Sequence, residues 1–466
     1  MPTAVCHTQP PRTDSAVNPA KTPRPARPNP ASPAAPSAPA RRLWTRRHWL
    51  GTTAAASLAL PNILPRGLRG ANAPSNRITL GFIGVGQHGR EYNMRSFLQH
   101  EDCLALAVCD VYANRRKAAR AEVNDHYGTN GCREYADFRD LLAAGDIDAV
   151  VISTPDHWHT PMSIMAAEAG KDVMCEKPTL TIAEGRELVE VIQRHERVFQ
   201  VGLEDRSVIQ YHRLAELVRN GAIGELKRIY AKLPAGTAYP LEEEAPVPDD
   251  LDYELWTGPA PFSPYTPNRT ERMHWRQIRD YSGGMLADWG AHLLDTAQVA
   301  NFAEDSGPVE VRGEGRFPED SMATTAVDYH LHYRYANGVE MEVESGGVEL
   351  RFEGTRGWVG NTGWRGRLEG SSDEIVRLRF DDEDNRLWPL PANEHRDFLD
   401  CIQTREPTVY TAEAGHRLST VMHIGTIAME LGRPLEWDPG NETFNDEQAD
   451  ALRSRASRDD WKNPAT

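Results

Sequence analysis

The stretch ITLGFIGVGQHG, residues 78–89, decides the fold of the part of the chain that follows it. It begins with six residues typical of a buried β-strand and continues with glycines in the spacing G-x-G-x-x-G. Between a strand and a helix, such glycines allow a tight turn, the approach of a pyrophosphate to the backbone and close helix–strand packing. The stretch therefore predicts a dinucleotide-binding loop with ligand contacts at Gly84, Gly86, Gln87, His88 and Gly89.

A second apolar run, residues 104–109, ends in Asp110, about 20 residues after the last glycine of the loop. An acidic residue at this place binds the ribose 2′-hydroxyl, so the sequence favours NAD as the cofactor. NADP remains an alternative, because Arg115 or Arg116 could meet a 2′-phosphate.

Strand and helix patterns continue to alternate as far as residue 202, which predicts a doubly wound parallel sheet. Ligands bind at the carboxyl ends of the strands in such sheets. Two motifs fall at those ends: STPDHWH at residues 153–159 and CEKP at residues 175–178. Lys177 could hold a developing alkoxide there, although a solvated lysine at a strand end is an equally good interpretation of position alone.

The stretch SGGMLADWGAHLLD, residues 282–295, predicts a helix with Asp288, His292 and Asp295 on one face. His292 is the natural proton acceptor, and we expect Asp288 to orient it. The alternative is a hydrogen-bonded core histidine. A metal site made of His157, His159 and His292 is a weaker alternative, and we predict no metal.

Beyond this helix the sequence predicts an antiparallel sheet. Residues 327–335 alternate apolar and polar side chains, and Asn337-Gly338 makes a hairpin turn into the next alternating strand. We expect one buried face and one open face that could pair subunits into a dimer or tetramer. Residues 241–270 are expected to form a loop over the cleft, where Trp256, Phe262 and Tyr265 either stack on sugar rings or simply pack.

The first 73 residues are interpreted as a disordered leader ending in a signal peptide. Residues 2–40 are rich in Pro and Ala, Arg46-Arg47 precede a weakly apolar run, and Ala71-Asn72-Ala73 fits a cleavage site. This order is typical of a twin-arginine signal, whose machinery exports folded proteins to the periplasm. A basic disordered tail is the alternative. Export after folding would require a tightly held cofactor.

Composition narrows the function classes further. The net charge is −16, and the leader contains ten Lys or Arg and a single acidic residue, so the rest of the chain is more acidic still. This charge argues against nucleic acid as a partner, and no apolar run is long enough for a membrane span. The six cysteines form no C-x-x-C pair, and we expect buried thiols at Cys103, Cys109 and Cys175.

Together these motifs resemble the glucose–fructose oxidoreductase / inositol dehydrogenase / MocA (Gfo/Idh/MocA) family, in an exported bacterial branch. The order of G-x-G-x-x-G, STPDHWH, CEKP and G-G-x-x-x-D-x-G-x-H-x-x-D carries the resemblance. It implies a Rossmann domain followed by an α/β domain with a large, mostly antiparallel open sheet. Ser282 departs from the family pattern, which commonly has a third glycine there.

The resemblance also implies roles for individual residues. Lys177, Asp288 and His292 correspond to the family's catalytic residues, and His159 lies near nicotinamide or substrate. The predicted cofactor contacts beyond the glycine loop are Asp110, Thr154, Pro155, His159, Glu176 and Lys177. The predicted substrate contacts are Lys177, His159, Trp275, Arg276, Asp288 and His292.

Four segments are predicted: a leader at 1–73, a dinucleotide-binding domain at 74–203, a substrate and oligomerisation domain at 204–440, and a C-terminal tail at 441–466. We expect oxidation of the CH–OH group of a sugar, glycoside or cyclitol by hydride transfer. A redox-neutral enzyme that eliminates or epimerises after transient oxidation is one alternative. A non-catalytic glycan-binding protein that retains nucleotide is the other.

Overall fold

The computed structural model describes residues 77–381, 385–456 and 458. The predicted leader and its twin-arginine motif lie outside these residues. Among the described helices, none has the length and apolar character needed to cross a bilayer. The five described cysteines, Cys103, Cys109, Cys132, Cys175 and Cys401, are buried free thiols.

Six parallel strands form the first sheet, in the order β3-β2-β1-β4-β5-β6. This order confirms the predicted doubly wound sheet, with its switch point between β1 and β4. The strands are β1 (Ile78–Ile83), β2 (Cys103–Cys109), β3 (Arg133–Tyr135), β4 (Ala149–Ile152), β5 (Asp172–Glu176) and β6 (Phe199–Gly202). A π-helical turn (Gly89–Met94) leads into the helices α1 (Arg95–Leu98), α2 (Ala113–Tyr127), α3 (Phe138–Leu142), α4 (Asp156–Glu168) and α5 (Ile182–Arg194).

A 3₁₀ turn, Glu204–Ser207, and helix α6 (Ile209–Arg219) connect the first sheet to a second sheet of nine strands. Only β7 and β10 pair in parallel, so the prediction of a mostly antiparallel sheet is confirmed. Its order is β13-β12-β11-β7-β10-β9-β8-β14-β15. The strands are β7 (Leu226–Leu233), β8 (Pro308–Arg316), β9 (Asp328–Tyr335), β10 (Glu340–Ser345), β11 (Glu349–Gly354), β12 (Gly357–Thr362), β13 (Leu368–Gly370), β14 (Leu435–Asp438) and β15 (Thr443–Phe444).

Seven further helices accompany this sheet, and two of them cover its inner face. They are α7 (Tyr253–Thr257), α8 (Arg272–Trp275), α9 (Gly284–Ala300), α10 (Asp373–Arg377), α11 (Glu394–Thr404), α12 (Ala412–Leu431) and α13 (Glu447–Ala451). Both α9 and α12 are almost wholly buried, and α12 contacts β8, α9 and α5, so it joins the two sheets into one core.

Strand β9 shows why the second sheet has two different faces. Tyr329, Leu331, Tyr333 and Tyr335 are buried, while the residues between them point outward, as the alternation predicts. The outward face carries both basic and acidic side chains. Lys232 pairs with Glu344 at 2.9 Å, and Arg334 pairs with Glu310.

The segment predicted as a C-terminal tail is in part folded onto the domain. Strand β15 pairs with β14, and α13 follows it. Arg455 then reaches Glu184 on α5, with its Nε 2.7 Å from the carboxylate. Short strands and salt bridges of this kind leave little hydrophobic periodicity, so the sequence pattern did not reveal them.

Candidate active site

One cavity of about 750 Å³ lies at the carboxyl ends of the parallel strands, between the glycine loop and helix α9. All fifteen residues predicted for the cofactor and substrate sites line it. The residues of the first domain converge because β1, β2, β4 and β5 end at the same edge of the sheet. Helices α8 and α9 bring Trp275, Arg276, Asp288 and His292 to the same cavity.

The glycine loop fits a dinucleotide. Gly84 has φ +82°, and a Cβ there would lie 2.5 Å from the carbonyl oxygen of Ser153. A Cβ on Gly89 would overlap the carbonyl oxygen of Gly84, which fixes the close packing of the first helical turn. Gly86 instead faces the cavity, where a Cβ would meet only the guanidinium of Arg115 at 3.4 Å. That open space above the backbone suits the approach of a pyrophosphate.

Asp110 fastens this loop to the end of β2. Its Oδ2 accepts a hydrogen bond from Val85 N, and its Oδ1 accepts one from Tyr112 N, both at 2.9 Å. Burial raises the pKa of the carboxyl. Arg116 Nη1 donates to the carbonyl of Asp110, whereas Arg115 lines the cavity with its guanidinium 3.9 Å above the Tyr112 ring. Of the two arginines considered for a 2′-phosphate, only Arg115 borders the cavity within the described chain.

Lys177 is held by helix α9. Its Nζ donates to Asp288 Oδ1 and to the Asp288 carbonyl oxygen, each at 2.8 Å. Arg276 Nε lies 3.3 Å from the other carboxylate oxygen. Burial alone would raise the pKa of Asp288, but Lys177 and Arg276 outweigh it and hold that pKa well below its usual range. Because an ammonium has three N–H donors, one remains for a ligand in the cavity.

The partner of His292 differs from the prediction. Its Nδ1 lies 2.7 Å from Oδ2 of Asp205, in the 3₁₀ turn after β6, and not against Asp288 one helical turn away. Against a carboxylate, Nδ1 carries the proton and donates, so Nε2 is the acceptor. Asp205 is fully buried, and burial raises its pKa although His292 lowers it in part.

Asp295, the second acid on the same helix face, is part of the core. It forms a salt bridge with Arg206, whose Nη2 lies 2.8 Å from Oδ1, and both side chains are buried. The helical spacing correctly placed Asp288, His292 and Asp295 on one face, but the last two have partners in the 3₁₀ turn, whereas Asp288 is bonded by Lys177 and Arg276.

The two histidines of the STPDHWH motif are structural. His159 lies with its ring nitrogens 2.9 Å from the Pro178 carbonyl oxygen and 2.8 Å from that of Thr154, so it ties two cavity loops together. His157 is fully buried against the Trp256 carbonyl, and burial lowers its pKa to about 3. Within the described residues, His157, His159 and His292 do not group as metal ligands.

His88 and Glu176 connect the glycine loop to the end of β5. His88 Nε2 lies 3.0 Å from Glu176 Oε1, and Asn93 Nδ2 donates to the same oxygen at 2.8 Å. Glu176 raises the pKa of His88. Burial alone would raise the pKa of Glu176, but His88 and Asn93 outweigh it and lower that pKa to about 2.

Several cavity residues were not predicted. Trp289 on α9 and Trp364 in the β12–β13 turn form an aromatic wall beside His292. Ser282, the departure from the glycine pattern, lies behind the cavity lining and donates to the buried lining residue Asp156 at 2.6 Å. The sequence NTGWRG, residues 361–366, signals a tight turn by its two glycines, but it does not indicate what the turn approaches.

The loop predicted to cover the cleft, residues 241–270, borders the cavity at Leu255, Trp256 and Thr270. It also pairs with the end of β2: Ala113 N donates to Asp250 O at 2.8 Å, and Tyr112 forms a β-bridge with Leu251. Of the aromatic residues considered for sugar stacking, Trp256 lines the cavity but is buried in a packed cluster. Tyr265 packs against the same cluster outside the cavity lining, and Phe262 is exposed away from that lining.

Comparison with known protein families identifies both domains. Residues 78–203 match the description "Oxidoreductase family, NAD-binding Rossmann fold", and residues 235–463 match "Oxidoreductase family, C-terminal alpha/beta domain". Both descriptions belong to the Gfo/Idh/MocA family.

Curated relatives match over part of their length. A glycosyl hydrolase family 109 protein of Shewanella sp. (strain W3-18-1) is 33% identical over 159 residues, which span 32% of this chain and 33% of that protein. The inositol 2-dehydrogenase of Salmonella typhimurium (strain LT2) is 29% identical over 33% of this chain and 44% of its own. The NADP-dependent D-xylose 1-dehydrogenase of Haloarcula marismortui is 28% identical over 52% and 58%. These matches thus span about a third to three fifths of the relatives.

Solved structures share the fold over most of the chain. A NAD-binding protein from Listeria innocua has a TM-score of 0.57 and 22% identity, covering 77% of this chain and 97% of that one. An aldose-aldose oxidoreductase from Caulobacter crescentus has a TM-score of 0.56 and 19% identity, covering 77% and 99%. These likenesses show the shared fold, and the two domain matches show that the chain belongs to the Gfo/Idh/MocA oxidoreductase family, with an NAD-binding Rossmann domain.

Proposed function

We propose that this protein is a sugar dehydrogenase that oxidises the CH–OH group of a sugar, glycoside or cyclitol. The observation that carries the proposal is the placement of Lys177 and His292 on one cavity wall, with Asp288 bonded to the first and one helical turn from the second. The bound dinucleotide supplies the hydride acceptor, for which we propose NAD, with NADP as the alternative.

The two side chains divide the work on the substrate hydroxyl. His292 Nε2 accepts the hydroxyl proton, because Asp205 holds the proton on Nδ1. The third N–H of Lys177 donates to the same oxygen and stabilises the negative charge that develops as the proton leaves. Asp288 keeps the ammonium in place, and its own charge is balanced by Arg276.

A redox-neutral reaction is the second candidate. The similarity to the glycosyl hydrolase family 109 protein favours it, since transient oxidation acidifies the neighbouring C–H and allows a glycosidic bond to leave. A glycan-binding protein without turnover is the third, and the complete set of Lys177, Asp288 and His292 argues against it.

Spectra of the purified holoprotein separate these candidates. We expect absorbance at the wavelength of the reduced nicotinamide to rise when a substrate from a sugar and cyclitol panel is added. Product formation without a net absorbance change would favour the redox-neutral enzyme. Bound nucleotide that never changes redox state and forms no product would overturn both enzyme proposals.

We further propose that residues 1–73 direct export to the periplasm through the twin-arginine machinery after the cofactor has been captured. Arg46-Arg47 and the apolar run after them support this proposal. Replacing both arginines with lysines should leave the protein in the cytoplasmic fraction. Periplasmic recovery of that variant would contradict it.

We also propose self-association through the outer face of the second sheet, as a dimer or tetramer. The mixed charges of that face, such as Lys232 and Glu344, can pair across a twofold axis. Light scattering at low and high salt tests this, and a monomer at all concentrations would refute it.

A further inference from the structure

We propose that Trp364 and Trp289 form an outer saccharide subsite, so that the preferred substrate is a glycoside whose second pyranose ring packs on Trp364. This inference rests on the proposed function, because it assigns the first ring to Lys177 and His292. It names the substrate class as a disaccharide or longer glycoside, not a free monosaccharide.

The aromatic wall is built around the proton acceptor. The ring centroids of Trp289 and His292 are 5.7 Å apart, those of His292 and Trp364 are 5.8 Å apart, and those of the two tryptophans are 6.0 Å apart. Because the rings of Trp364 and His292 are neighbours, a sugar ring packed on Trp364 would lie beside the sugar whose hydroxyl His292 deprotonates, as the second ring of a glycoside lies beside its first.

Trp364 retains surface for a ligand. It is 44% exposed and also lines the cavity, which places it at the mouth. An indole left open to water at the rim of a site gains from covering by the C–H face of a sugar. Trp289 is half-buried beside it and closes the inner side of the same wall.

The turn that carries Trp364 is fixed rather than loose. Arg365 has φ +58°, in the left-handed region, and its backbone N donates to the Tyr211 hydroxyl at 3.1 Å. Its guanidinium bonds Glu204 at 2.8 Å and lies 4.3 Å over the Trp364 ring. Gly363 has φ +81° and allows the reversal. Strained positions held by side-chain bonds are found where a fixed ligand contact is required.

Polar groups at the same rim suit a sugar. Glu204 and Arg365 lie beside the indole as an acceptor and a donor for hydroxyl groups. The indole offers an apolar surface, and Glu204 and Arg365 beside it can bond sugar hydroxyls. A saccharide can use all three groups, whereas a purely apolar aglycone would use only the indole.

The test uses the holoprotein and three variants. Trp364→Ala should lower kcat/KM for disaccharides by about tenfold or more, and change kcat/KM for the monosaccharide by less than about threefold. Trp364→Phe should recover most of the loss. Phe262→Ala, which removes an exposed aromatic ring that does not line the cavity, is the matched control and should leave both values unchanged.

Binding measurements test the subsite independently of turnover. Titration calorimetry of maltose, cellobiose and lactose should give saturable binding of at least one, weakened in Trp364→Ala and kept in Phe262→Ala. Equal losses for mono- and disaccharide turnover, or disaccharide binding unaffected by Trp364→Ala, would overturn the subsite. Binding that depends on Trp364 without any turnover would overturn the proposed function but support the subsite.

Discussion

At the scale of single residues, the positions that could be predicted are those whose chemistry follows from a local motif. Gly84, Lys177 and His292 each belong to a short pattern at a strand end or on one helix face, and all three line one cavity. Asp205 could not be found this way. It lies 87 residues from His292 in the sequence. Helical periodicity identifies only partners on the same helix, such as Asp288.

Lys177→Met tests the proposed charge stabilisation. The substitution keeps the length of the side chain but removes its donors, so kcat should fall about 10²–10⁴-fold while the protein still binds nucleotide. Initial rates on the best substrate of the panel measure this effect. The same substitution at Lys232, an exposed lysine paired with Glu344, should leave the rate unchanged. A variant at position 177 as fast as the parent would remove lysine from the mechanism.

Asp205→Asn tests the proposed partner of His292. The amide keeps the side-chain shape but no longer holds Nδ1–H with a charge, so kcat should fall about 10²–10⁴-fold with little change in KM.

The pH profile of the same variant separates orientation from a structural effect. Because burial raises the pKa of Asp205, the parent should lose activity as the pH falls through that raised pKa and the carboxylate takes up a proton. The Asn variant has no such group, so the acid side of its profile should differ in shape from that of the parent. A proportional loss of rate at every pH would indicate a structural role alone.

At the scale of elements, helix α9 combines positions proposed as catalytic with structural ones on one face. Its residue spacing predicted the helix and the shared face, but burial divides the two acids and the histidine into different roles. Asp288 and His292 face the cavity, whereas Asp295 faces the core against Arg206. Sequence spacing determines only the direction in which each side chain leaves the helix axis. The segments packed against the helix decide which of these side chains can contact a ligand.

Asp295→Ala should lower the free energy of unfolding by about 3–5 kcal/mol, because it leaves the buried guanidinium of Arg206 without its counter-charge. Urea unfolding measures the change. Asp328→Ala breaks an ion pair with Arg316 in which both side chains are about half exposed, and should change the free energy by less than about 1 kcal/mol. If both substitutions lowered the free energy of unfolding equally, the Asp295–Arg206 pair would not be shielded from water.

At the scale of the whole molecule, the order of elements was readable, whereas the packing between distant segments was not. The alternation of strand and helix predicted the first sheet, and the alternation within β9 predicted the two faces of the second. The strand β15, the salt bridge of Arg455 and the aromatic wall depend on contacts between segments far apart in sequence. Their composition alone does not specify those contacts.

Cofactor binding should be measurable as a global stability effect that the glycine loop controls. A ligand bound only by the folded state stabilises it by about 2.7 kcal/mol at a hundred times its Kd, so the melting temperature of stripped protein should rise with the logarithm of NAD concentration. Gly86→Val should melt like the stripped parent but show no shift with NAD, because the side chain fills the space above the loop and meets only the flexible end of Arg115. Gly89→Ala should instead lower the melting temperature even without nucleotide, since its Cβ would overlap the Gly84 carbonyl. If Gly86→Val kept the full rise in melting temperature with NAD, the pyrophosphate would have to lie elsewhere. The assignment of this cavity to the dinucleotide would then be wrong.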